Sequence, residues 1–133
     1  MSVHDSLPLR QQLLRPMQEL DELIFDGDED PEAIHLAAFD GEAMVGIASL
    51  APSPSPLGRW RMRQIGVVPE RRGTGLGRRL VEVLLDGADE QVHLSARAHL
   101  EAWYLGLGFE RVGELYDKPP VGPHVDMVRA PRS

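Results

Sequence analysis

Cysteine is absent from the chain, so disulfides, cysteine nucleophiles and thiolate metal sites are excluded. No apolar run approaches the roughly 20 residues that cross a bilayer, and no positively charged start leads into an apolar signal region. These absences make a cytoplasmic location the expectation, with no membrane partner. Internal repeats are missing too, and only Ala51 to Gly58 (APSPSPLG) is low in complexity. Lysine is nearly missing: of the 14 basic residues one, Lys118, is lysine and the rest are arginine, a bias that hints at a GC-rich bacterial genome. No two histidines have helical ligand spacing with a carboxylate between them, so no metal site is expected.

What is present suits one compact domain over residues 1–133, since that length supports a single core. The net charge of −7 argues against general nucleic-acid binding, but its distribution says more than its sum. Seven arginines and one acid, Glu70, lie between Arg59 and Arg79. From Glu19 to Glu42 there are ten acids and no lysine or arginine. A basic segment in an acidic chain suggests a focused site for an anionic ligand; chance clustering on a solvated face is the alternative.

Leu9, Leu13 and Leu14 have helical spacing, with Pro16 as the expected stop. Asp26 to Glu32 reads as an exposed loop. Ala33–Phe39 and Ala43–Leu50 read as a hairpin around Asp40-Gly41-Glu42. The prolines of Ala51–Gly58 suggest a loop before a third strand, Trp60–Val68, in which Gly66 marks a bulge or a close approach by another backbone. The period then changes to a helical one through Leu76, Leu80, Val83, Leu84 and Leu85, with Gly87 as a plausible stop. A strand over Val92–Ala96, a helix over Ala98–Leu105, a strand over Phe109–Tyr116 and, after a Pro119-Pro120 turn, a last strand over His124–Arg129 complete an α/β or α+β chain with helices on the faces of a sheet.

Between the third strand and its helix lies Arg72-Gly73-Thr74-Gly75-Leu76-Gly77-Arg78-Arg79. Such a turn exposes backbone N–H groups at the positive end of a helix dipole, where phosphate oxygens bind, and glycine lets the chain approach them closely. A Walker loop would end in Gly-Lys-Ser/Thr, and Arg78 and Arg79 exclude it. A dinucleotide fingerprint starting at Gly73 would need glycine at position 78 and an acid about 20 residues on; Arg78 breaks it, although Glu90 and Glu101 lie in that region. What remains is Arg-x-x-Gly-x-Gly at Arg72, Gly75 and Gly77.

That motif, with Gly66 upstream and Trp103-Tyr104 followed by Gly108-Phe109 downstream, resembles the GNAT superfamily of N-acetyltransferases over residues Ala33 to Arg129. AHLEAWYLGLGF, GPHVDM and DPEAIHLAAFDGEAMVGIASL further resemble its ElaA-like branch. The resemblance implies a mixed, mostly antiparallel sheet with a splayed strand pair and flanking helices. It also implies acetyl-CoA as co-substrate, a small-molecule or peptide amine as acceptor, and a homodimer. Acyl-CoA would be held by Val67, Val68, Arg72, Gly73, Thr74, Gly75, Leu76, Gly77, Arg78 and Arg79, with the Val67 N–H polarising the thioester. Tyr104 would be the acid for the leaving thiolate, although from spacing alone it reads equally as core.

A glutamate that several members carry on the bulged strand is missing, with arginine near Arg61 in its place. His35, His124, Asp126, Glu22 or a water chain remain as bases, and His124 is chosen because GPHVDM matches the branch. His93 and His99 read as structural and His4 as disordered. A non-catalytic acyl-CoA sensor and a domain with no ligand are the rival readings. Arg61 and Arg63 suit an acidic acceptor, whereas the Asp26–Glu32 loop suits a cationic one.

Overall fold

The computed structural model describes residues 1–14, 19–25, 27–86, 88, 90–119 and 121–131. Its helices are α1 (Val3–Leu14), α2 (Leu76–Asp86) and α3 (Glu101–Leu105); its strands are β1 (Ile34–Asp40), β2 (Ala43–Ser55), β3 (Gly58–Val67), β4 (Val92–Arg97), β5 (Glu110–Lys118) and β6 (Gly122–Arg129). The strands form one sheet in the order β1-β2-β3-β4-β6-β5, antiparallel throughout except at β3–β4. This is the expected mixed α/β architecture. Pro16, Gly87 and Pro120, read as stops or turns, lie outside the described residues.

Local chemistry explains the elements. Asp40 pairs with Ala43, leaving Gly41 and Glu42 as a two-residue hairpin turn, and Gly41 supplies the positive φ (61°) it needs. On α2 the buried arc is Leu80, Val81, Leu84 and Leu85. Val83 belongs to the other side and is 40% exposed, which corrects the expected stripe: at 100° per residue it falls 300° from Leu80, outside the arc that Leu80 and Leu85 bound. That arc packs on Leu50, Met62, Leu94 and Met127 of the sheet, closed at one end by Tyr104, Leu107 and Phe109. Each such side chain contributes about 1.5–3 kcal/mol on leaving water.

The opposite face of the sheet carries α1, whose Leu9 and Leu13 cover Ile47 and Val68. The helix starts at Val3, so His4 is ordered within it, exposed and 3.7 Å from Glu29, rather than disordered as its sequence position suggested.

Two further expectations change. Ala51 to Ser55 belong to β2, not to a loop, and only Pro56 and Leu57 separate β2 from β3. The pairing of β1 with β2 stops at Ile34–Leu50, so beyond Leu50 one edge of β2 has no strand beside it, the setting in which strand prolines are tolerated. The bulge in β3 also lies elsewhere. Ile47 pairs with Gly66 and Ser49 with Arg63, so Gln64 and Ile65 together face Ala48, and Gln64 takes a φ of 55°. Gly66 serves a close approach instead, by side chains rather than backbone: a Cβ there would lie 3.2 Å from Leu13 Cδ1.

Both outer strands have irregular ladders, β1 between Ala38 and Phe39 and β5 between Val112 and Tyr116. Among the described residues no helix is long and apolar enough to cross a membrane.

Candidate active site

The parallel pair is short. β3 and β4 are in register only at Trp60–Val92 and Arg61–His93, and past that point the bulge at Gln64 and Ile65 carries β3 away. A cleft of about 420 Å³ opens in the gap, with Gln64 and Ile65 on one wall and Ser95 and Arg97 on the other. This is the expected splay. Tyr104 and His124, far apart in sequence, both line it.

At the far end of β3 the strand runs into the glycine loop. Val68 N–H donates to the Val45 carbonyl at 2.9 Å and so points toward β2. N–H groups alternate in direction along a strand, so Val67 N–H points the other way, into the gap that β4 has left. A turn at Pro69–Arg71 follows, then Gly73 and Gly75 with φ of 78° and 86°, then α2. Gly75 caps the helix by accepting from Arg79 N–H at 3.0 Å, and the N–H groups from Gly73 to Arg78 donate no backbone hydrogen bond among the described residues. Nothing lies within 4 Å of a Cβ built on Gly73 or Gly75, so the backbone there is open to a ligand. Gly77 differs: a Cβ there would touch the Trp103 ring, 3.4 Å away, at van der Waals distance, so this position faces the protein and not open space. Of the loop arginines, Arg71 is paired with Asp40 and Arg78 with Glu82, while Arg72 reaches the Val67 carbonyl at 3.3 Å. Arg72 and Arg79 have no carboxylate partner among the described residues, and both are exposed.

Tyr104 sits on α3 with its ring edge-on to Trp103 and Phe109, at centroid distances of 5.0 and 5.7 Å. It is 7% exposed, and its hydroxyl has no hydrogen-bond partner among the described residues. Burial pushes its pKa up to about 12, opposed by the nearby Arg97 guanidinium. Because the native state holds this phenol protonated, its contribution to stability is complete below about pH 10 and is lost as pH rises through about 12. Raising the pH from 8 to 11 should cost the parent about 1.4 kcal/mol more than it costs a Tyr104→Phe variant. Denaturant melts of both proteins at the two pH values measure the difference, and equal losses would contradict the shift.

His124, 3% exposed, directs Nδ1 at the Gly122 carbonyl, 2.8 Å away. That bond places the proton on Nδ1 of the neutral ring and makes Nε2 the acceptor.

Of the other proposed bases, His35 and Asp126 are engaged elsewhere. His35 is buried in a chain in which Arg10 Nη2 donates to Ser49 Oγ at 3.0 Å, Ser49 to His35 Nδ1 at 2.7 Å, and His35 Nε2 to the Asp28 carbonyl at 2.8 Å. It is a structural residue, away from the cleft. Asp126 accepts from the Tyr116 hydroxyl at 2.6 Å, which in turn accepts from Ser95 at 2.5 Å. Burial, with Asp126 second, raises the Tyr116 pKa. The side chain of Glu22 lies outside the described residues. His93 is structural as expected, donating to the Ser53 carbonyl at 2.8 Å, with its pKa lowered chiefly by burial.

Two charged cleft residues were not singled out from sequence. Arg97 donates to the Leu14 carbonyl at 2.9 Å, and Lys118, the single lysine, enters from β5. For Arg97 a signal existed, since the polar His93, Ser95 and Arg97 alternate with the buried Val92, Leu94 and Ala96.

Comparison with known proteins agrees with this geometry. The model of a family described as the acetyltransferase (GNAT) family matches residues 3–109. An uncharacterised N-acetyltransferase of Bacillus subtilis, YitI, is 28% identical over 140 residues, covering 99% of this chain and 94% of its own. The crystal structure of ElaA from Escherichia coli superposes with a TM-score of 0.81 at 25% identity, covering 97% of this chain and 92% of the other. That of an acyl-CoA N-acyltransferase from Pseudomonas aeruginosa superposes with a TM-score of 0.76 at 33% identity, covering 93% and 87%.

Proposed function

Since the chain belongs to the acetyltransferase (GNAT) family, we propose that it transfers the acetyl group of acetyl-CoA to the amine of an acceptor that enters the cleft between β3 and β4. One observation carries this reading: the two strands part, with open N–H groups at one end of the gap and a buried phenol on its wall. The residues fit the co-substrate. Unpaired N–H groups from Gly73 to Arg78, at the start of an 11-residue helix and beside Arg72 and Arg79, suit a pyrophosphate. When bound, acetyl-CoA supplies an acyl group already activated as a thioester.

In this reading the chain does three things. Val67 N–H, turned into the gap, donates to the thioester oxygen as it gathers negative charge, an effect worth a few kcal/mol when the donor is preorganised. Val68, expected beside the pantetheine arm, is instead engaged by the Val45 carbonyl and the Arg71 N–H, with its side chain packed against Leu9. Tyr104 meets the leaving sulfur. A thiol has a pKa near 8.5, so full proton transfer from a phenol at about 12 is uphill by about 5 kcal/mol. Tyr104 therefore acts by hydrogen-bonding the thiolate more than by surrendering its proton. His124 Nε2, or water beside it, accepts the proton from the amine.

A non-catalytic acyl-CoA-binding role is the second reading. The commitment of His35 and Asp126 to other hydrogen bonds favours it. Release of CoA thiol with a panel of amines decides between them: release above the amine-free rate supports transfer, whereas binding without release supports the sensor.

The placement of the pyrophosphate has its own test. Gly75→Val puts a branched side chain where φ is 86° and the N–H groups face outward. Acetyl-CoA affinity is expected to fall at least tenfold, about 1.4 kcal/mol, by calorimetric titration. Unchanged affinity in a folded variant would refute the placement.

A further inference from the structure

We propose that the acceptor is a small amine bearing a carboxylate or phosphate, and that Arg61 is the residue that selects it; the inference rests on the transfer reading above. Among the described residues the cleft is lined by charge of one sign. Arg61, Arg63, Arg97 and Lys118 line it, and no Asp or Glu does among the described residues. The Arg61 side chain makes no hydrogen bond or ion pair among the described residues, and its Nε is buried without a partner. A half-buried guanidinium in that state carries an unmet demand for an acceptor group, and its planar fork matches a carboxylate or phosphate. Its neighbours are positioned by the protein itself, Arg63 over the Phe25 ring at 4.9 Å and Arg97 on the Leu14 carbonyl, and add positive charge around it.

Two other assignments of this charge fail on geometry. The cations do not serve the pyrophosphate, because Arg61 precedes Val67 by six residues, roughly 15–20 Å along a strand. Nor do the described acids of the acidic loop mark a site for a cationic acceptor, because each of them already has a partner. Asp28 pairs with Arg10 at 2.8 Å, Glu29 lies 3.7 Å from His4, Glu32 pairs with Arg59, and Asp30 accepts from Glu32 N–H at 2.8 Å. Asp126, the acid on the same face as Arg61, is engaged by Tyr116. A cleft of about 420 Å³ fits a small molecule. In the reaction the acceptor nitrogen forms the N–C bond as the C–S bond breaks. The acceptor gives up a proton and the departing sulfur takes one up.

The test uses matched pairs that differ by one charge: phenylalanine against phenylalaninamide and O-phosphoethanolamine against ethanolamine, with spermidine as a cationic control. Thiol release is expected to favour the anionic member of at least one pair by tenfold or more in kcat/KM; which pair responds separates a carboxylate from a phosphate acceptor. Arg61→Met should shrink that preference to within twofold by raising KM, with acetyl-CoA affinity held, and Arg61→Lys should keep most of it. Equal use of both members, preference for spermidine, or a preference that survives Arg61→Met overturns the proposal. If acetyl-CoA binds and no amine is turned over, the transfer reading fails. Calorimetric titration of the same pairs into the CoA-saturated protein then judges the anion site. Binding of the anionic member alone, lost in Arg61→Met, upholds the site, and equal or undetectable binding overturns it.

Discussion

Tyr104→Phe is expected to lower turnover on the order of a hundredfold, about 2.7 kcal/mol, while acetyl-CoA affinity stays within a factor of two or so. The substitution removes one oxygen and keeps the ring. Packing against Trp103 and Phe109 survives, and no hydrogen bond among the described residues is broken. Stability at neutral pH is thus expected to hold, so a fall in rate reports on the hydroxyl itself. The pH profile separates this residue from His124. Tyr104 titrates far above the working range, so its loss should scale the profile without moving either limb. His124→Asn should instead remove the acid limb. Full activity in the Phe variant returns Tyr104 to the core, and an unmoved acid limb in the Asn variant makes His124 structural.

Arg10→Met should cost about 3–5 kcal/mol of folding stability, a large share of the 5–15 kcal/mol typical of a domain. Arg10 and Asp28 form a fully buried ion pair at 2.8 Å. The guanidinium also donates to the Leu23 carbonyl at 2.5 Å and to Ser49, and Asp28 also accepts from Phe25 N–H at 2.8 Å. Removing the cation leaves a carboxylate in a dry site with one backbone donor, and a buried charge without its counterion is the costly case. Denaturant unfolding measures the loss. A cost under 1 kcal/mol would mean that water reaches Asp28 once the pair is broken.

Arg10 also shows where sequence reading ends. A single arginine in a helix reads as solvent-facing, and nothing near it marks Asp28, 18 residues on, as its partner. Burial of the pair depends on how α1 docks on β2, which is a long-range fact. His35 looked like a base for the same reason, because its partners Ser49 and Asp28 come from other segments. The glycine loop was legible because its chemistry is local: six consecutive residues define the turn and the helix start. Tyr104 was legible through its place before the Gly-Phe turn. The strand through Pro52 and Pro54 was not, since their tolerance depends on where β1 stops. Nor was the bulge, because Gly66 advertised a backbone freedom that Gln64 in fact uses. Register between strands, unlike the period along one strand, leaves little trace in a single sequence.

The interrupted ladders of β1 and β5 bear on solubility. These are the two outermost strands, and each presents backbone groups that another chain could add to. Phe39 on one is 59% exposed and Leu115 on the other 52%, so the apolar side chains that would reward such addition are present. The irregularities at Ala38/Phe39 and Val112/Tyr116 break the flat run of donors and acceptors that a growing stack requires. Asp40, Glu114, Asp117 and Lys118 add charge along the same edges. The sheet thus opens in its middle, where a small molecule fits, and makes both of its margins poor templates for aggregation.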